Sequence, residues 1–423
     1  MKTSLLPLAV LLTTLAPVFS AAPDQGFTAH EWGTFTSVQG ADGVQMDWNP
    51  LSVSELPKFV YERSRAGAKR GFVLAGKTAA TVCRQRMETP VIYFYSDKAR
   101  TVDVSVNFPQ GQVTEWYPQE SAADLSPVRT AARAAKVPAL HWAKVDILPK
   151  AESAGLTLPQ EKAGSHYYAA RATDAALLRI AAEGKKAEVE KFLFYRGTGS
   201  FQSPLTVTLD SADATRVTLK NAGTEALRDL FVCNAQGGAV SWERVASLAP
   251  GASVTVVSDP DAAKKRSREM LAAALRDGLA RAGLFPKEAA AMVQTWEDSW
   301  LGEPGLRVLY TLPRAWTDRT LPLAITPAPK AIERVMVGRA EIITPVMEQA
   351  LLSATERYLA GSEETRPQTV TEARALGLGR FAEPTLRRVM LAAKRAPEFS
   401  AASWELLQKI SAPAAQPAAP AAQ

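Results

Sequence analysis

The sequence is poor in the side chains that build metal and redox centres. It holds three histidines and two cysteines in 423 residues, with no histidine pair at helical spacing and no Cys-x-x-Cys. That leaves little room for a histidine-built metal centre, removes the common zinc patterns, and gives no reason to expect a cofactor. Two cysteines also exclude a small disulfide scaffold. Neither sign of charge dominates: 49 Lys and Arg stand against 43 Asp and Glu, a net +6. The cations form no stripe interleaved with aromatics, which argues against a nucleic-acid partner. Glycine (25) and proline (28) stay at ordinary levels, which excludes a collagen-like rod and a disordered chain. Beyond the first residues no apolar run is long enough to cross a bilayer, and no internal repeat is evident. What is present is a globular composition, 47% hydrophobic and 22% charged, at a length that suits two or three domains.

The N-terminus carries an address. Met1 and Lys2 precede an apolar run from Leu5 to Val18, and Val18 and Ser20 occupy the −3 and −1 positions of a cleavage site before Ala21. This is the pattern of a secretory signal peptide over residues 1–20, and it predicts an exported, periplasmic or extracellular protein with no span after its removal. An uncleaved anchor is the alternative. Export allows Cys83 and Cys233 to form a disulfide; the other reading is two buried free thiols.

From Phe27 to about Ser258 the apolar period is mostly two, which predicts β structure. Val102, Val104, Val106 and Phe108 alternate with polar residues before Pro109-Gln110-Gly111, predicting a hairpin over Val102 to Tyr117 with Phe108 opposite Gln112 and a left-handed Gly111. Trp116 then joins the valine face, with Glu115 and Tyr117 on the polar one. The segment from Pro127 to Val137 suits a short helix, and Tyr167 to Ile180 a strand or strand pair. Short strands between Leu205 and Val257 suggest a sandwich. From Asp259-Pro260 the period becomes 3.6: Leu271, Leu275 and Leu279 form one helical face that Gly283 ends, and a second helix starts near Pro286 with core residues Trp296 and Trp300. Glu297 and Asp298 beside them read as solvated. A strand pair is expected at Arg307 to Leu312 and Arg334 to Val337. Thr344-Pro345 opens a helix that ends at Gly361, and two more lie around Leu386 to Ala393 and Ser400 to Ile410. The Ala/Pro tail from Ser411 reads as disordered. The fold class is therefore α+β. A β-rich body spans 21–200, a sandwich portion 201–259, a mainly helical domain 260–410, and a tail 411–423.

Residues 71–78, Gly71 to Thr78, match G-x-x-x-x-G-K-[ST] letter for letter. A charged stretch stands where the phosphate loop needs an apolar strand, and exported chains seldom meet nucleotides, so the match reads as coincidence. Arg196-Gly197-Thr198-Gly199 reads as a turn. The most pointed segment is His30 to Thr36. As a strand it places His30, Trp32, Thr34 and Thr36 on one face and Glu31 with Phe27, Ala29 and Phe35 on the apolar other. A carboxylate there must pair with a cation, be protonated, or sit at a bulge near Gly33. Arg84 and Arg86 are its candidate partners. A buried structural ion pair is the plainer reading, a catalytic acid or base the sharper one.

Polar groups beside aromatics recur at Glu115-Trp116-Tyr117, His166-Tyr167-Tyr168 and Phe194-Tyr195-Arg196, a composition that suits a grip on a sugar ring or, more plainly, strand ends packing under a loop. If the protein is an enzyme, Glu31, Glu88 and Glu115 are the candidate acid and base, with His30 or His166 assisting. If it binds, Trp32, Arg84, Arg86, Tyr117, Tyr167 and Arg196 are the candidate contacts. Residues 58–86 hold eight Lys and Arg against one Glu, and 264–281 hold six against two acids. Such basic stretches suit an anionic envelope polymer or glycan; the plainer reading is scattered solvated faces, because the charges form no stripe with interleaved aromatics.

Several of these segments together resemble a family of exported bacterial proteins. They are His30 to Thr36, Met87 to Tyr95, Phe108 to Gly111 with Thr114 to Pro118, Lys191 to Gly197, and Val337 to Glu341. The resemblance implies export and a shared architecture, and no reaction or catalytic residue comes with it. The Lys220-Asn221-Ala222-Gly223-Thr224 turn and the ending from Leu248 to Val256 resemble immunoglobulin-like modules of secreted bacterial proteins, which implies a spacer or adhesive unit. The expectation is an envelope-associated binding or structural protein; the alternative is a carboxylate-based hydrolase of an extracellular polymer such as a glycan.

Overall fold

The structure, a computed structural model, describes residues 24–50, 56–63, 83–123, 137–161, 165–181, 186–210, 213–257, 266–393 and 397–411. The expected signal peptide, the G-x-x-x-x-G-K-T segment, the Ala/Pro tail and all of the Pro127–Val137 helix except its last residue lie outside them. The strands run, in chain order, β1 (Asp24–Gly40), β2 (Tyr61–Glu62), β3 (Gln85–Ser96), β4 (Arg100–Val106), β5 (Gly111–Tyr117) and β6 (Ala122–Ala123). Then come β7 (Leu140–Leu148), β8 (Leu177–Ile180), β9 (Glu188–Glu190), β10 (Leu193–Gly199), β11 (Leu205–Asp210) and β12 (Asp213–Asn221). The set closes with β13 (Leu227–Gln236), β14 (Ala239–Leu248), β15 (Ser253–Val257), β16 (Gly305–Thr311), β17 (Leu323–Thr326) and β18 (Pro329–Ile343). The α-helices are α1 (Arg268–Arg281), α2 (Pro286–Glu297), α3 (Arg314–Thr320), α4 (Pro345–Ala360), α5 (Arg366–Ala375), α6 (Ala382–Ala393) and α7 (Pro397–Ser411).

A nine-stranded sheet, ordered β14-β13-β16-β18-β1-β3-β10-β5-β2, forms the centre of this α+β fold. Only β1 and β18 run parallel in it; its other pairs are antiparallel. One face packs on two smaller sheets. Valines and aromatics of β4 and β7, and the alternating apolar residues of β11, β12 and β15, meet Phe35, Phe94, Trp116 and Leu230 in one core. The 205–257 region is thus a sandwich, with β11, β12 and β15 on one side and β13 and β14 in the large sheet on the other. The opposite face carries Trp32, Tyr93, Phe194 and Phe231 beneath Leu271, Leu275, Met292 and Trp296 of α1 and α2.

Helix signals read from the sequence hold locally. Gly283 leaves α1 at φ +122, and Thr344 caps α4 with proline at its start. The cap of α1 is Ser267, which accepts from the Met270 amide at 3.3 Å, while the Asp259-Pro260 start signal lies outside the described residues. The helices gather in the 260–410 region as expected, and so does the expected strand pair: β16 and β18 pair with each other, inside the large sheet. Three expectations need correcting. β4 and β5 are strands but not a hairpin: β4 pairs with β7 and β17, while β5 pairs with β10 and β2. The turn carries the chain from one sheet to the other. Gly111 is required there for space, since a Cβ would stand 2.5 Å from the Thr198 carbonyl oxygen. Arg196 to Gly199 is the end of β10 and not a turn; its Gly197 lets the Gln112 carbonyl approach to 2.6 Å of a Cβ position. His166 to Arg171 is a 3-10 turn, and only Leu177–Ile180 is strand.

The cysteines are free and buried. Cys233 lies on β13, and Cys83 stands just before β3, four strand spacings across the sheet. At roughly 4.8 Å per spacing that is about 19 Å, far beyond the roughly 7 Å Cα separation a disulfide allows. The bridge is excluded by sheet order.

Candidate functional site

Irregular strands set up the site. Trp32 faces Val91 and Thr34 faces Glu88, so Thr89 and Pro90 on β3 oppose the single Gly33 of β1. A Cβ on Gly33 would lie 2.9 Å from Pro90 Cα, so only glycine admits this bulge. Thr89 holds a left-handed φ of 51, an uncommon state for a β-branched residue. One strand on, Arg196 pairs with Glu115 and Gly197 with Val113, leaving Thr114 as an extra residue on β5. Bulges re-aim side chains. Here they gather polar groups of β3, β10 and β5 onto the helix-covered face, beyond the end of its aromatic layer.

The result is a belt of buried charge across the sheet. Arg86 donates to Thr114 Oγ1 at 3.0 Å and to Glu115 Oε1 at 2.9 Å. Glu88 accepts from the Thr36 hydroxyl at 2.6 Å and pairs with Arg380 of the Gly379–Phe381 turn. On the other side of Thr36, Arg339 binds Glu341 at 2.8 Å and Glu303 at 2.7 Å. Arg307 joins Glu341 at 3.1 Å and donates to the carbonyls of Ser299, Trp300, Glu303 and Pro304, closing the Asp298–Gly302 π turn after α2. Arg196 makes one long bond, 3.4 Å to Thr89 Oγ1.

A cavity of about 260 Å³ opens on this belt. Its wall includes Arg86, Glu88, Arg196 and Arg380 from the belt, His166 and Tyr167 from the 3-10 turn, and Trp296, Asp298 and Glu303 from α2 and the turn after it. Among the described residues, Arg196 Nε and Arg380 Nε and Nη2 are buried with no hydrogen-bond partner. Burial and the neighbouring Arg86 push the Arg196 guanidinium down to about 10, against the partial support of Glu115 and Glu88. Burial by itself would raise Glu88, but Arg380, the Thr36 hydroxyl, Arg196 and Arg339 outweigh it and hold the carboxyl at about 2. Burial likewise opposes Glu115, and Arg86 and Arg196 bring it below the ordinary carboxylate range.

Of the residues singled out in the sequence, Arg86, Glu88, His166, Tyr167 and Arg196 line this cavity and Glu115 stands behind it through Arg86. The others do not join them. Glu31 is fully buried on the opposite face in an ion pair, but its partner is Arg334, at 2.6 Å, rather than Arg84 or Arg86. Parallel pairing sets Arg334 directly opposite Glu31, while Arg86 falls opposite Thr36; Tyr195 also donates to Glu31. Arg84 is partly exposed and pairs with Asp47 at 3.1 Å. His30 is buried against Glu288 at 2.8 Å and stacks on Phe285, which ties β1 to the start of α2. Trp32 and Tyr117 are core residues, Tyr117 packed on Phe59 and Tyr61.

Five charged belt residues, Arg307, Arg339, Glu341, Arg380 and Glu303, escaped sequence reading as site candidates. Arg339 and Glu341 continue the face of Val335 and Val337 at period two, a charged interruption that could have flagged them. Arg307 sits in a strand that otherwise reads as core, and Arg380 in a glycine-rich connector carries no signal. Among the described residues no group of three or more histidine, cysteine or acidic side chains is arranged to hold a metal, and no helix is long and apolar enough to cross a membrane.

No family model and no curated protein matches this sequence. Among solved structures, the yeast delta-COP-I mu-homology domain aligns over 76% of this chain and 100% of its own length, at 6% identity and a TM-score of 0.30. The same domain complexed with Dsl1 WxWxV peptide gives 7% identity and 0.29 over the same shares. Likeness at that level carries no argument about this chain.

Proposed function

We propose that this is an exported, envelope-associated binding protein, and that the arginine-lined cavity takes part of an anionic envelope polymer or acidic glycan without cleaving it. The observation that carries this reading is the state of the carboxylates. Glu31, Glu88 and Glu115 are each paired with an arginine, Arg334, Arg380 and Arg86 respectively. Glycoside cleavage needs one carboxyl kept protonated at working pH to act as acid. Glu88 and Glu115 are held below the ordinary range instead. Tyr167 and Trp296 in the wall offer aromatic surface to a sugar ring. The N-terminal apolar run supports export, and the turns of 205–257 support an immunoglobulin-like spacer role for the sandwich. The hydrolase reading keeps one supporting observation, that His166 and Glu88 both line the cavity.

The test is a screen of cell-wall fragments and acidic and neutral oligosaccharides against the protein, scored for both binding and new reducing ends. It is repeated with Glu31→Gln and Glu115→Gln. Binding without turnover in all three proteins is expected. Turnover that Glu115→Gln or Glu31→Gln abolishes replaces this reading with the hydrolase.

A further inference from the structure

We propose that Arg196 and Arg380 form an oxyanion site for a ligand of sugar size bearing one carboxylate, phosphate or sulfate group, and that Glu88 is the internal anion with which this ligand competes. The inference deepens the binding reading and rests on it for the ligand's size. Its charge is argued separately, from the hydrogen bonds of the belt.

Five guanidinium groups occupy the belt, and they are not equivalent. Arg307 and Arg339 spend their donors on carboxylates, on Ser299 and on the carbonyls of the π turn. Arg86 is engaged by Thr114 and Glu115. These three hold the sheet and the turn together. Arg196 and Arg380 keep the three buried nitrogens without partners. In Arg380 the two are Nε and Nη2, which form one edge of the guanidinium plane, while Nη1 holds Glu88. That edge is the fork that receives a carboxylate or phosphate through two parallel hydrogen bonds.

Charge balance points the same way. Among the described residues, Arg86, Arg196, Arg307, Arg339 and Arg380 face Glu88, Glu115, Glu303 and Glu341, five cations against four anions. Asp298 on the cavity wall is 82% exposed and turned to Arg268 at 3.4 Å, so it does not supply the missing anion. The depressed guanidinium of Arg196 fits a cation short of a counter-ion. The unpartnered nitrogens are covered from solvent, so an anion entering the cavity reaches the fork by turning Arg380 away from Glu88. Gly377 and Gly379, both at positive φ, precede Arg380, the first ahead of the short turn and the second at its start.

The full chain is titrated calorimetrically at low salt with galacturonate, inorganic phosphate, sulfate and, as the neutral control, glucose, and then with neutral oligosaccharides. Binding of at least one anion and not glucose is expected, and the arm that binds identifies the headgroup. Affinity should fall more than about tenfold in Arg196→Gln and Arg380→Gln. It should fall less in Arg380→Lys, which keeps charge and loses the fork. It should rise in Glu88→Gln, and added salt should weaken it. Arg357→Gln, on an exposed helix face, should change nothing. If the glutamine variants do not fold, the lysine variant and the salt dependence of the unaltered protein carry the decision. No anion bound, or anion binding indifferent to both arginines, overturns the inference. Neutral oligosaccharides bound equally by the arginine variants overturn it and leave the binding reading standing. Release of reducing ends removes that reading while the anion affinities still judge the site.

Discussion

Glu88→Gln removes a carboxylate that the fold holds far from its ordinary protonation range, and the consequence for stability has a calculable pH dependence. The group moves from an ordinary value of 4.5 to about 2 in the folded chain. Each unit of depression is worth about 1.4 kcal/mol, so the ionised form favours folding by about 3 kcal/mol at pH 7. A depressed carboxyl contributes this stability above its unfolded value near 4.5 and loses it as the pH falls through that value toward 2. At pH 3 about 1 kcal/mol should remain. Glutamine keeps an acceptor for the Thr36 hydroxyl but leaves the Arg380 cation unpaired. Urea unfolding of the unaltered protein and the variant at pH 7 and pH 3 reads the difference directly. Glu115 is also held below its ordinary range, but it is common to both proteins and largely cancels in their difference. A gap of the same size at both pH values, or one well under 1 kcal/mol at pH 7, refutes the assignment of Glu88 as an electrostatically locked ion.

Glu31→Gln should destabilise the fold by about 3–5 kcal/mol in urea, because it strands a buried arginine; Glu31→Met with Arg334→Met should recover much of that loss, and equal damage from single and double changes contradicts the pairing. Gly33→Ala should cost about 1–3 kcal/mol in the same assay, since its methyl group meets the Pro90 backbone; an unchanged midpoint shows that the bulge relaxes freely. Burial raises both thiols to about 12, with Arg86 only partly opposing it at Cys83 and Arg307 at Cys233. Iodoacetamide at pH 8 should therefore leave the native chain unmodified and label two sites in urea, as read by intact mass; labelling of the folded chain contradicts the described packing.

Local chemistry was readable before the structure, and long-range partnership was not. The leucine face of α1, the Thr344 cap and the valine alternation of β4 each depend on residues within a few positions of one another, where periodicity speaks directly. Period two correctly put Glu31 among apolar neighbours and His30 on the other face. It says nothing about which strand lies alongside, so Arg334, some three hundred residues away, could not be preferred to Arg86 as its partner. The same gap explains the misassigned hairpin. Phe108 to Gly111 has the composition of a tight turn, but its two flanking strands complete different sheets. Half of the cavity was visible as aromatic and polar clusters. A bulge near Gly33 was one of the readings of His30 to Thr36, but that it aims Glu88 into a cavity, and that close backbone approach at Gly197 lets a second bulge aim Arg196 there, depends on neighbouring strands that no single-sequence pattern reports.

The parallel seam between β1 and β18 sets the order of events in folding. Along nearly its whole length β1 borders Pro329–Ile343 on one side and β3 on the other, so the middle of the sheet cannot close until residue 343 has been synthesised. Until then one long margin of β1 carries unmated amide and carbonyl groups, an open template for wrong pairing. Contacts this distant in the chain make for slow assembly. A chain truncated before position 329 should accordingly aggregate or engage chaperones, however well its separate turns and hairpins are encoded.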